Sequence, residues 1–222
     1  MAVSEIFDII ESTGVLAASA TAVYGVLSWR AQVRDKRRYE LAEEVLALFY
    51  EAADAFRWIR SPVGFEGEGG TRRASDGESA EAKRILDQAY VAAERYRKKG
   101  AVFDRLHALR YRFMATFDPA LAKPFDELRQ VVNHVVQSGA RLGHLWLQQA
   151  QPIRRRQADE QRLREQIEKH EAVIWSDWSD ESAGDQIQQR VDAAVSEMET
   201  ACEGILRGRW RGGSTTTVPR SA

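Results

Sequence analysis

The segment Ser12–Trp29 reads STGVLAASATAVYGVLSW. It holds no Asp, Glu, Lys or Arg, and a basic cluster follows at once: Arg30, Arg34, Lys36, Arg37 and Arg38. At about 1.5 Å rise per residue, a helix of this length covers roughly 27 Å, close to the ~30 Å hydrocarbon core of a bilayer. Ile9 and Ile10 extend the apolar run outward to Glu11, while Tyr24 and Trp29 are rings of the kind that settle at headgroup level. Residues 12–29 are therefore predicted to be a single transmembrane helix. The cationic flank stays in the cytoplasm. That puts a short tail, residues 1–11, outside, and residues 30–222 on the cytoplasmic side. Arginine outnumbers lysine, as in GC-rich bacterial genomes, so the expected location is a bacterial inner (plasma) membrane.

The span is weak in composition, because Ala, Ser and Thr outnumber Leu, Val and Ile. Its small residues nonetheless recur every four positions. Gly14, Ala18 and Ala22 form one row, and Ala17, Thr21 and Gly25 the next. Such rows let two membrane helices approach closely, so a homo-oligomer through Gly14, Ala18 and Ala22 is expected; the plainer reading is that small residues merely fill the segment. A cleaved signal peptide does not fit, since Glu5, Asp8 and Glu11 precede the apolar run without a single Lys or Arg. The competing reading of the segment is the buried first helix of a soluble bundle.

Downstream, Leu41, Val45, Leu48, Phe49, Ala52, Phe56 and Ile59 recur at three and four residues, which is one helical face. No Pro or Gly lies between Gly25 and Pro62. The cheapest way to satisfy the backbone at a membrane exit is to let the helix run on. One continuous helix to about residue 59 is predicted, beginning near residue 5 or 12 and packing in its second half against residues 121–146. Residues 61–77, SPVGFEGEGGTRRASDG, interrupt the pattern with Pro62 and glycines at 64, 67, 69, 70 and 77. They read as a flexible connector. A phosphate loop is the alternative, drawing on Thr71, Arg72 and Arg73, but the Gly-Lys-Ser/Thr tripeptide and a preceding strand are missing. Phe65 resists the connector reading, because an aromatic in such a loop usually docks on something.

Helical patterning resumes near Asp76–Ser79, where Ser75 and Glu78 have capping-box spacing. It runs through Ile85, Ala89, Ala92, Tyr96, Phe103, Leu106, Leu109 and Phe113, with Gly100 a point of possible division. Its basic residues, among them Arg95, Arg97, Lys98, Lys99, Arg105 and Arg112, read as a solvated face or a lipid contact. Asp118-Pro119 is a helix start. Leu121, Phe125, Leu128, Val132, Val135, Gly139, Leu142 and Trp146 then fall at alternating spacings of four and three, a coiled-coil-like seam. A charged helix over 153–174 ends at Trp175 and Trp178. Ser182 is placed to cap a last helix carrying Ile187, Val191, Ala194, Val195, Met198, Cys202 and Ile205. Residues 209–222 read as a disordered tail. The expected architecture is all-α: an N-terminal single transmembrane helix continuing into a cytoplasmic antiparallel helical bundle at 30–208.

The chain has 222 residues and a formal net charge of −1, which argues against a nucleic-acid binder. Its one cysteine, Cys202, rules out an internal disulfide and sits at an apolar helical position. Four histidines, His107, His134, His144 and His170, show none of the spacings of metal sites on helices. No serine-hydrolase, dinucleotide or zinc motif occurs. No catalytic, cofactor-binding or metal-ligating residue is nominated, and no cofactor is expected. The expectation is a membrane-tethered helical interaction or scaffold protein, with the lipid bilayer and an unidentified protein as partners. The alternative is a soluble helical-bundle ligand binder, or an enzyme, using the 61–77 loop.

Overall fold

Four stretches of helical apolar periodicity demand mutual burial, and the chain meets that demand with helices alone. The computed structural model describes residues 3–151, 156–176 and 184–211, with side chains described between residues 21 and 207 of these ranges. Its elements are α1 (Val3–Ile59), α2 (Ala80–Thr116), a short 3-10 helix (Pro119–Ala122), α3 (Lys123–Ala150), α4 (Gln157–Ile174) and α5 (Gln186–Arg211). No strand occurs among the described residues. The chain divides into two units, residues 1–43 with 204–222, and residues 44–203.

In the first unit, α1 enters without a break, as the absence of Pro and Gly after Gly25 requires. Among the described residues no helix is long and apolar enough to cross a membrane. The transmembrane helix expected at 12–29 is thus unsupported in the described part of α1, and the side chains of residues 12–20 lie outside the described residues.

The second unit is a bundle centred on α3, which packs against both α2 and α4. The α1 face read from the sequence is sealed: Val45, Leu48, Phe49, Ala52, Phe56 and Ile59 are all buried. Phe49 meets Phe125 edge-on at 5.0 Å between centroids, and Phe113 joins the pair from α2 at 5.8 Å. This aromatic cluster knits α1, α2 and α3. Neighbours run antiparallel. Ala89 of α2 lies beside Gly139 of α3, whereas Arg110, further along α2, bonds Asp126, earlier in α3. Lys123 and Arg190 pair with Glu197 and Glu127, giving α3 and α5 the same opposed sense.

Local start and stop signals are partly as expected. Asp118 accepts from the Ala120 N–H and opens the 3-10 turn. Helix α2 is capped by Ser79, whose hydroxyl accepts from the Ala82 N–H, and not by Ser75. Gly100 does not divide α2: a single glycine costs only about 1 kcal/mol in a helix whose other positions are packed. Ser182 lies outside the described residues, and Asp185 supplies the cap of α5 by accepting from the Ile187 and Gln188 N–H groups. Helix α5 continues to Arg211, because the first strong breaker is the Gly212-Gly213 pair; residues 212–222 lie outside the described residues.

Two buried arginines hold the bundle's corners. Arg60, just past the end of α1, is fully buried. Its Nε donates to the Val173 carbonyl at 2.9 Å, Nη2 to those of Ala172 and Trp175 at 3.0 and 2.9 Å, and Nη1 to Asp185 Oδ2 at 2.8 Å. It thereby satisfies the orphan carbonyls at the end of α4 and pairs with the residue that caps α5. Arg95 treats the end of α1 alike, donating to the carbonyls of Trp58, Ser61 and Val63 and pairing bidentately with Glu68. Arg60→Met is expected to cost about 3–5 kcal/mol in denaturant unfolding, since it strands a buried carboxylate and three carbonyls. Arg60→Met with Asp185→Asn, which keeps an α5 cap but removes the stranded charge, is expected to recover part of that loss.

Candidate functional site

The glycine-rich segment 61–77 is where composition predicts a flexible connector and where the structure places its densest polar network. Gly67 and Gly69 sit at φ of 83° and 84°, a region glycine occupies freely. A Cβ on Gly69 would stand 1.9 Å from the Asp87 carbonyl oxygen, so the loop lies directly on the α2 backbone. Glu94, only 3% exposed, accepts from the Gly69 N–H at 2.8 Å and the Thr71 hydroxyl at 2.9 Å, and pairs with Lys98 at 2.6 Å. The Lys98 ammonium, and after it the Thr71 and Gly69 donors, outweigh burial and hold the Glu94 carboxyl at about 2. The Arg95 guanidinium likewise lowers Glu68. Arg72 bridges Glu78 and Asp87. The loop is thus tied to α2 through Glu68 with Arg95, Arg72 with Asp87, and the Gly69 and Thr71 donors with Glu94.

This changes the standing of the phosphate-loop reading. Arg72 is occupied by two carboxylates and Thr71 by Glu94 and Arg97, so neither presents a free donor. A groove of about 660 Å³ does open between the loop and α2, with Phe65 at its mouth and Lys83, Arg84 and Trp175 along it. No histidine lines it. Phe65 is 68% exposed.

The sequence passed over Arg95 and Glu94 by assigning them to a solvated basic face. Helical phase held the signal. Arg95 lies four residues after Val91 and seven before Val102, both buried, so its position faces the core.

The histidines do not come together as a metal site, and no cluster of three or more His, Cys, Asp or Glu suited to a metal occurs among the described residues. His107 borders a cavity of about 290 Å³ between α2 and α3, floored by Leu106, Phe125, Leu128 and Val132. Arg110 borders it too, and its Nε is buried without a hydrogen-bond partner among the described residues. His134 and His170 are pulled below the usual imidazole range, chiefly by burial. Cys202 is fully buried, and burial pushes its thiol up to about 11, so it forms no thiolate at neutral pH.

On α1, Val23, Tyr24, Val26, Leu27 and Trp29 are each between 51% and 74% exposed. At about 100° per residue these five positions cover an arc of about 220°, and the remaining sector carries Thr21, Gly25 and Ser28. Ala22 is exposed, and Gly25 has open space where a Cβ would stand. Gly14 and Ala18, the other members of the expected oligomer row, lie among residues whose side chains are outside the described residues.

No protein-family model, curated protein or solved structure matches the chain.

Glu94 and Glu68 have folded-state values below their ordinary ones, so the stability they confer is present above about pH 4.5 and is lost as pH falls toward 2. Hydrogen exchange at the Gly69 and Thr71 amides is expected to accelerate across that window before the bundle core does, and Glu94→Gln should flatten the pH dependence. Gly69→Ala, which meets both the positive φ and the Asp87 carbonyl, is expected to destabilise the chain by more than about 1 kcal/mol in denaturant melts and to open the loop to limited proteolysis.

Proposed function

We propose that the chain is a membrane-tethered helical interaction module. In this reading residues 12–29 sit in the bilayer with the N-terminus outside, and the bundle of residues 44–203 works on the cytoplasmic side by binding a protein partner through its surface. The observation that carries the reading is the exposed apolar girdle at Val23, Tyr24, Val26, Leu27 and Trp29. An apolar arc of about 220° is wider than the stripe of about 100° by which a helix packs on a single neighbour, and that width favours an apolar medium around most of the helix. A soluble monomer rarely leaves so contiguous an apolar surface in water. The arginine-rich flank that follows Trp29 supports placing that end on the cytoplasmic side.

The bundle acts through contacts and not through chemistry. Its one thiol is buried and protonated, and Glu68 and Arg72 of its glycine-rich loop are held in ion pairs. The ligand-binding alternative would gain ground from Arg72, Arg73 and a histidine around one pocket, and none of them lines the groove beside the loop.

Full-length protein in isolated membranes is expected to resist extraction by alkaline carbonate and to leave the pellet only with detergent. Recovery in the supernatant without detergent sinks the tether. Removal of residues 1–29 separates the remaining readings: the tethered protein yields a folded, soluble fragment, and a buried first helix yields an unfolded one.

A further inference from the structure

Two stretches of this chain concentrate positive charge, and the structure separates them by what their charges already do. On α2 most of the basic residues are engaged within the bundle, Arg84 and Arg112 being exposed. Arg95 pairs with Glu68, Lys98 with Glu94, Arg105 with Glu44 and Arg110 with Asp126, while Arg97 bonds Thr71 and Lys99 stands over the Trp58 ring. That face, the first candidate for lipid contact by sequence, has little charge to offer.

The stretch after Trp29 is different. Arg30, Arg34, Arg37 and Arg38 are all exposed. Among the described residues Arg30, Arg34 and Arg37 make no ion pair or hydrogen bond. At about 100° per residue the four arginines fall within an arc of about 100°, and Asp35 and Glu40 both lie outside it. Along the axis residues 30 to 38 cover roughly 12 Å, against an interfacial layer of roughly 5–8 Å on each side of a bilayer core. The apolar girdle ends at Trp29, one residue before the stripe begins. A guanidinium presents a planar fork that matches two oxygens of a phosphate, and arginine, unlike lysine, makes up the whole stripe.

We propose that the Arg30–Arg34–Arg37–Arg38 stripe is a recognition surface for the phosphate headgroups of anionic phospholipids in the leaflet that the helix enters. The inference rests on the tethered reading, since the girdle is what brings the stripe to headgroup depth. It deepens that reading by naming the lipid class. Three guanidiniums free of partners among the described residues pair with the lipid phosphates, and the anionic surface holds them there. Each basic residue near such a surface is worth about fivefold in affinity, so the three together amount to roughly a hundredfold preference over zwitterionic lipid.

The test uses the full-length protein purified in detergent and titrated with phosphatidylglycerol or phosphatidylcholine, with bound lipid counted by native mass spectrometry. Wild type is expected to retain phosphatidylglycerol roughly a hundredfold more tightly. R30Q/R34Q/R37Q is expected to lose that preference, and R105Q/R112Q on α2 to keep it. Equal retention of the two lipids by wild type, or an undiminished preference in the triple variant, overturns the proposal. So does retardation of a DNA duplex at physiological salt by a wild type that shows no headgroup preference, since the stripe then reads nucleic acid. Carbonate extraction of the same variants keeps the two readings apart. Resistance without lipid preference removes the stripe and leaves the tether. Release with an arginine-dependent preference removes the tether and leaves the stripe.

Discussion

The fold of the 44–203 unit turns on how helix ends are satisfied where the chain leaves them. Every α-helix presents orphan carbonyls at its C-terminus, and burying them without donors is costly. This chain ends α1 just before Pro62 and α4 at Trp175, and at both places a buried arginine supplies the donors. A guanidinium carries several N–H groups in one plane, so one side chain reaches several carbonyls and a carboxylate at once. Arg60 does so for α4 while pairing with Asp185, the cap of α5, and its own carbonyl accepts from the Ser176 N–H at 2.8 Å. The end of α1, the end of α4 and the start of α5 are thereby one hydrogen-bonded unit.

Arg95 performs the same task at the start of the glycine-rich loop, and the loop's order follows from it. Glycine content sets what a backbone is able to do, not what it does. Once Glu68 is drawn to Arg95, and the Gly69 and Thr71 donors to Glu94, the segment has little freedom left. Its glycines serve approach: Gly69 lets the loop touch α2 at Asp87, just as Gly139 and Gly143 let α3 touch α2 at Ala89. What the ordered loop then presents to solvent is Val63 and Phe65, apolar side chains on a fixed support.

Charge in this molecule divides into two populations. Within the bundle, acids and bases cancel locally, and several do so at low exposure where a partner's removal is expensive. Near the N-terminal apolar segment the arginines are exposed and, in three cases, free of partners among the described residues. A near-zero net charge conceals this asymmetry, because it sums two populations with different surroundings.

Periodicity by itself determined the helical class, the continuity of α1 from residue 25 to 59, the buried face from Leu41 to Ile59 and the seam of α3. These follow from local chemistry: helical spacing of apolar residues, and breakers that are present or missing. It also determined that Cys202 faces inward, since its phase matches Met198 and Ile205. Tertiary structure alone decided the rest. The sequence marks 61–77 as breaker-rich, but whether such a segment wanders or is clamped depends on charges that are distant along the chain, Glu68 with Arg95 and Arg60 with Asp185. No spacing rule couples such positions, because their proximity exists only once the helices have packed. For the same reason the sequence left the α2 basic residues as a solvated face or a lipid contact. Which of them still has charge to offer depends on the carboxylates that folding places opposite.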